Sequence, residues 1–344
     1  MPRLPFVAAL LLAAVSVLRG AESSPALGLE KRIIGGDFMP ENEAPYAVIV
    51  TKRKPGSNGM SRCGGTLISD RHVVTAGHCL TGPGDKFQSS YIVEIGYDNQ
   101  DRTKQKRARA TKVDIHPIYY DNTNDDKYDI AVLTIPPITF GAGAQRMPVD
   151  DGPLEPNQPL LAVGWGRTEN GSPNRLKRTT IKVGEPSACG RFTSNFGDSS
   201  GPRVCALKSL TPGKGICMGD SGSGVSINRN GKEYLVGLGS RIYGRNPCEA
   251  DNVATSFVHI ISYLDFVMEK SGLTKEYLLG KQANNPPPQP HKNKPDDPPQ
   301  PDDKSGDKSG DKGGDKGDGL PKPEDKEVTV TVTRTAYLVI PMPT

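Results

Sequence analysis

Between residues 33 and 273 the chain is broken into short apolar runs. Tyr46-Ala-Val-Ile-Val-Thr51, Tyr91-Ile-Val-Glu-Ile95, Ile130-Ala-Val-Leu-Thr-Ile135 and Tyr234-Leu-Val-Gly-Leu238 are rich in β-branched and aromatic residues, and Gly, Pro, Asn and Asp clusters separate them. That spacing predicts many short strands joined by turns, hence an all-β sandwich or barrel. One segment has another period. From Val258 to Lys270, the residues Ile260, Ile261, Leu264, Val267 and Met268 recur at helical spacing, which predicts an amphipathic C-terminal helix packed on the β structure.

The two ends read differently. Met1-Pro-Arg3 carries a positive charge, Phe6 to Leu18 is apolar, and Gly20-Ala21 offers small residues for cleavage. This predicts a secretory signal peptide over 1–20, too short for a membrane span. Residues 21–32 form a polar segment ending in Lys31-Arg32, the kind of pair that furin/kexin-type processing proteases cut. From 274 to 344 the composition turns to Pro, Asp, Lys and Gly, with near-repeats of Asp-Lys-Ser-Gly. So little apolar surface cannot offset ordering entropy, and a largely disordered low-complexity tail is expected. Glu327 to Arg334 alternates like a strand and is assigned no role.

Charge adds little. The net charge of +4 is small for this length, and the run Lys104 to Arg109 reads as a solvated loop, not a nucleic-acid site. Six cysteines in an exported chain predict three disulfides, although spacing alone does not choose the pairs. With no C-x-x-C pair, zinc is not expected.

Three segments hold candidate chemistry: Thr75-Ala-Gly-His-Cys79, Tyr128-Asp-Ile-Ala-Val132 and Gly219-Asp-Ser-Gly-Ser-Gly224. Singly, each has a plain reading. His72 and His116 rival His78, Asp121, Asp125 and Asp126 rival Asp129, and Ser221 could be an ordinary turn residue. Together, in the order His, Asp, Ser, and with Ile33-Ile-Gly-Gly36, Cys63-Gly-Gly-Thr-Leu67 and Gly164-Trp-Gly166, they resemble the trypsin/chymotrypsin family of serine endopeptidases from 33 to about 273.

The resemblance implies a double six-stranded antiparallel β-barrel over 33–273 and a secreted, monomeric enzyme without cofactor or metal. A serine hydroxyl is a weak nucleophile at neutral pH and needs an adjacent base. His78 would take the proton from Ser221 and return it to the leaving amine, and Asp129 would fix the imidazole tautomer. The amides of Gly219 and Ser221 would form the oxyanion hole. Cleavage after Arg32 would free an α-amine on Ile33 to pair with Asp220. Family pairing implies Cys63–Cys79, Cys189–Cys205 and Cys217–Cys248.

For specificity, the family's pocket maps onto Gly215, Ile216, Ser240, Ile242 and Val253. Gly215 stands where trypsin-like relatives carry aspartate, and a buried substrate cation without a countercharge is costly. Ile242 stands where glycine normally leaves the pocket open and Val253 is a second wall, so large aromatics are excluded. Small aliphatic residues are therefore expected before the scissile bond; the alternative is that Glu249 or Asp251 swings an acid into the pocket. Gly222-Ser-Gly224 departs from the family's Gly-Gly-Pro, and Gly77 replaces a common alanine; both are expected to alter loop stiffness alone. The stretch Tyr97 to Lys106 turns basic where calcium-binding relatives carry a second acid. Expected partners are protein or peptide substrates and protein protease inhibitors, with no nucleic acid and no membrane span. The competing reading is an inactive homologue that serves as a binding or inhibitor module. Asn170-Gly-Ser172 matches an N-glycosylation tripeptide.

Overall fold

Strands form where apolar residues alternate with solvent-facing ones or run continuously into a core. The computed structural model describes residues 36–81, 87–121, 126–168, 171–192, 201–245, 248 and 251–281. Its strands are β1 (Asp37–Phe38), β2 (Ala47–Arg53), β3 (Met60–Leu67), β4 (His72–Thr75), β5 (Ile92–Tyr97), β6 (Lys106–Arg109) and β7 (Lys112–Ile115). They continue with β8 (Ala131–Thr134), β9 (Pro159–Gly164), β10 (Lys177–Lys182), β11 (Arg203–Leu207), β12 (Gly224–Arg229), β13 (Lys232–Tyr243) and β14 (Ala254–His259). The four apolar runs singled out in the sequence are β2, β5, β8 and β13.

Two curled antiparallel sheets result, ordered β6-β5-β2-β3-β4-β8-β7 and β1-β10-β9-β12-β13-β14-β11. Each has seven strands by hydrogen bonding where six were expected, and the architecture is a chymotrypsin-like double barrel. Val48, Val50, Leu67, Val73, Ile95 and Leu133 fill the first sheet. Leu160, Val204, Val225, Val236 and Phe257 fill the second. A third cluster joins the two, packing Ile68, Val74, Ile130 and Val132 against Leu235, Leu238 and Val258. Continuous burial of these side chains, at about 25 cal/mol per Å² of apolar surface, is the main favourable term holding the sheets together.

The basic run is not a loop. Lys106 to Arg109 forms β6, the edge of the first sheet, with Lys106, Arg107 and Arg109 exposed. Charged side chains on an edge strand discourage pairing with another chain.

The helical segment begins later than its periodicity predicts. Val258 and His259 end β14, a strand hydrogen-bonded on both sides to β11 and β13. A 3₁₀ turn, Ile260–Tyr263, then leads into helix α3 (Leu264–Ser271, the third α-helix in chain order after Pro117–Asp121 and Pro186–Cys189). Ladder bonds outweigh the local pattern at Val258, and Gly272 at φ 70° stops α3.

The packed chain also runs past the expected boundary at 273. Thr274 caps a short helix α4 (Lys275–Leu278), its hydroxyl accepting from the Tyr277 amide. Tyr277, Leu278 and Leu279 are buried in the inter-sheet cluster, and the Val149 amide donates to the Leu278 carbonyl at 2.8 Å. Packing against the two sheets thus continues through Leu279. Apolar burial at these three positions is what extends it. No helix among the described residues is long and apolar enough to cross a membrane.

Candidate active site

Register brings the first two candidates together. β4 pairs with β8 so that Thr75 faces Ala131. Just beyond β4 the chain tightens into a 3₁₀ turn over Gly77–Cys79, and just before β8 stands Asp129. One Asp129 oxygen, Oδ1, accepts from the His78 amide at 2.7 Å, and the other, Oδ2, lies 2.7 Å from His78 Nδ1. Asp129 is buried, whereas the His78 side chain is 32% exposed. Burial alone would lower the His78 pKa, but the Asp129 charge and hydrogen bond overcome it and the net shift is upward. For Asp129, burial pulls upward and is outweighed by His78 and Ser240, so its carboxyl stays below the usual range. The rival histidines belong to the core. Burial pushes His72 and His116 down to about 4; His72 contacts Ser69 Oγ, and His116 stacks on Tyr128.

Ser240, expected to line the substrate pocket, carries its side chain to Asp129. In the β13–β14 ladder Gly239 faces Phe257 and Arg241 faces Ser256, leaving Ser240 as the extra residue of a bulge. Bulges re-aim side chains. Here Ser240 Oγ donates to Asp129 Oδ2 at 2.6 Å.

The third segment is a turn held against the end of β4. The Gly64 amide donates to the Ser221 carbonyl at 2.8 Å, and the Gly222 amide to the Gly239 carbonyl at 2.7 Å. Gly219 and Gly222 have φ of +94° and +74°. A Cβ on Gly222 would stand 2.3 Å from Thr75 Oγ1 and 2.6 Å from the Gly64 carbonyl. Glycine is required there both for conformation and for space. Ser221 is half-buried in this turn, and its hydroxyl makes no hydrogen bond to another described residue.

Asp220 points the opposite way, into the protein. It is fully buried, with Oδ1 accepting from the Gly166 amide at 2.7 Å and Oδ2 from the Cys217 amide at 2.9 Å. Burial outweighs these bonds and raises its pKa to about 7.

The arrangement has relatives. The Trypsin family profile matches residues 33–267. The chain belongs to the trypsin family. It is 32% identical to "Trypsin 5G1" of Aedes aegypti over 72% of this chain and 88% of that one. It is 30% identical to "Trypsin" of Simulium vittatum over 66% and 89%. With human "Chymotrypsin-like elastase family member 1" it shares 27% identity over 73% and 96%. It is accordingly a serine-type endopeptidase, acting on protein or peptide substrates.

In this trypsin-family chain the pocket candidates divide. Gly215 and Ile216 are buried, and Ile216 packs in one apolar cluster with half-buried Ile242. Val253 is buried beneath Gly244, its Cγ1 lying 2.7 Å from where a Gly244 Cβ would stand. Sequence reasoning missed Lys208. Its alkyl chain runs 3.5 Å from where a Gly215 Cβ would be, and its Nζ donates to the Cys248 carbonyl at 3.0 Å. Tyr119 was missed as well. A Cβ on Gly77 would come within 2.9 Å of the Tyr119 ring, so glycine there makes room for an aromatic beside Asp129.

The bridges are Cys63–Cys79, Cys189–Cys205 and Cys217–Cys248. Among the described residues one His/Cys cluster has ligand-like spacing, Cys63, His78 and Cys79. Its two sulfurs are bonded to each other and His78 Nδ1 is committed to Asp129, so these atoms are not disposed as metal ligands. Arg32, Ile33, Asn170 and Glu249 lie outside the described residues.

Proposed function

We propose that this chain is exported, cut after Arg32, and hydrolyses peptide bonds with Ser221 as nucleophile, His78 as general base and Asp129 as the group that orients it. One observation carries the reading: a buried carboxylate holds both the amide and Nδ1 of His78, so that Nε2, whose contact is with the disulfide sulfur of Cys79 at 3.9 Å, is the nitrogen for proton transfer. Ser221 Oγ attacks the substrate carbonyl as His78 takes its proton. The imidazolium, stabilised by Asp129, then protonates the departing amine, and water repeats the sequence on the acyl-enzyme. The Gly219 and Ser221 amides receive the oxyanion, a contribution of about 10²–10³ in turnover per donor.

Asp220 supports activation by cleavage. An aspartate with no exposed surface and a pKa near 7 is costly to ionise where it sits. An α-ammonium on Ile33 would supply the missing countercharge and hold the 219–222 turn. A furin/kexin-type protease acting at Lys31-Arg32 would do this during secretion. The signal-like segment 1–20 and the three disulfides support an extracellular destination.

Ile216 and Ile242 favour a small aliphatic side chain before the scissile bond, with Val253 as a further wall of the pocket. The Lys208 alkyl chain behind Gly215 brings no countercharge for a cationic one. Protein protease inhibitors that present such a residue are expected partners.

The test is fluorophosphonate labelling of secreted protein beginning at Ile33, beside a Ser221→Ala control. Stoichiometric labelling lost in the control supports the assignment. Equal labelling of both proteins, or none of either, removes Ser221 from the role.

A further inference from the structure

If His78 hands a proton to the departing amine, the part of the substrate beyond the scissile bond leaves on the His78 side of Ser221. That side is walled by the Cys63–Cys79 bridge, since Cys79 follows His78 directly. A cavity of about 130 Å³ opens there, bordered by Cys63 and by Gly219. Ile49 and Trp165 give it apolar walls, and two guanidinium groups, Arg62 and Arg102, line it.

Arg62 stands exposed on β3. Arg102 is half-buried and held in place: its Nε donates to Asn174 Oδ1 at 3.1 Å and its Nη2 to the Ser172 carbonyl at 3.3 Å. Burial, and then the charge of Arg62, lower the Arg102 pKa; the opposing pull of Asp101 is smaller. Asp101 is itself engaged, accepting from the amide and hydroxyl of Thr103. The two cations thus share one small space and repel each other there. A guanidinium fixed before binding loses little entropy when a carboxylate arrives, and two of them offer a planar anion more than one docking edge.

We propose that this cavity receives an acidic substrate side chain, and that Arg62 and Arg102 give the enzyme a preference for Asp or Glu within the first two residues after the scissile bond. The inference rests on the catalytic reading above and adds the substrate class on the leaving-group side. It also gives the enzyme two chemically different halves: an apolar pocket backed by Ile216 and Ile242 before the bond, and a cationic cavity after it.

The experiment uses the protein beginning at Ile33 and internally quenched peptides identical up to the scissile bond. The two positions after it carry Glu, Gln, Asp, Asn, Lys or Leu. At low ionic strength the Glu peptide is expected to have about tenfold higher kcat/KM than the Gln peptide, and the ratio should shrink as salt is raised. In the Arg62→Gln/Arg102→Gln double variant the same ratio should fall to near one. Because both peptides are measured on one preparation, partial misfolding cancels from the ratio. Equal rates on Glu and Gln peptides, or an acidic preference that survives in the double variant, overturn the inference alone. Failure to cleave any peptide, together with failure to label with fluorophosphonate, overturns the catalytic reading and this one with it.

Discussion

Ser240 Oγ and His78 Nδ1 meet on the same oxygen of Asp129, at 2.6 and 2.7 Å. Asp129 is therefore held from both sheets at once, because His78 follows β4 of the first sheet and Ser240 lies in a bulge of β13 in the second. A hydrogen bond to a buried charge contributes about 1.5–3 kcal/mol. Ser240→Ala is expected to lower kcat by roughly 10- to 100-fold with little change in KM. A residue that merely lined the pocket would instead move KM, and that outcome in steady-state kinetics would refute the role.

The charge of Arg241 is among the influences on His78 and acts to lower its pKa. Arg241→Gln should let the imidazole hold its proton more tightly. Since His78 must be neutral to act as a base, the acid limb of the kcat/KM profile should move to higher pH. The displacement should weaken as salt is added. An acid limb unmoved at low salt would mean that Arg241 does not reach the imidazole.

Asp220 makes the uncut chain sensitive to pH. Its folded pKa is raised from 3.8 to about 7. Its stabilising contribution is therefore full below the ordinary aspartate pKa, declines as pH rises, and is gone once pH passes about 7. In an uncleaved Arg32→Ala protein, thermal stability should fall between about pH 4 and pH 7 by more than in the Arg32→Ala/Asp220→Asn protein. Parallel melting curves for the two across that window would show that Asp220 does not titrate as described.

The contribution of the segment beyond 273 is open to truncation. Tyr277, Leu278 and Leu279 are buried, and burying each apolar side chain contributes about 1.5–3 kcal/mol. A chain stopped after Lys281 should melt with the full-length protein. One stopped after Leu273 should lose several kcal/mol, a Tm lower by roughly 10 °C or more. Identical Tm values for the two truncations would mean that the segment beyond 273 contributes no stability.

Much of this was legible in the residues themselves. Alternating apolar runs predict β2, β5, β8 and β13 because a half-buried strand needs that period, and three spaced motifs nominate His78, Asp129 and Ser221. The register of β4 on β8 then puts His78 and Asp129 in contact. Other features depend on packing between residues far apart in the chain. Val258 has helical spacing but sits in a strand, because ladder bonds to β11 and β13 outweigh a local pattern. Ser240 faces Asp129 because a bulge turns it; Gly239 beside it is the kind of residue that marks a bulge, but which side chain the bulge re-aims, and at what, depends on the partner strand. Lys208 behind Gly215 and the Tyr119 ring against Gly77 are contacts between distant segments, and Arg62 and Arg102 come from distant segments to line one cavity. The sequence by itself determined the family, the β architecture and the three chemically able residues, since these follow from periodicity and motif. Tertiary structure alone decided what surrounds them, because charge, burial and free space belong to neighbours that the linear order does not identify.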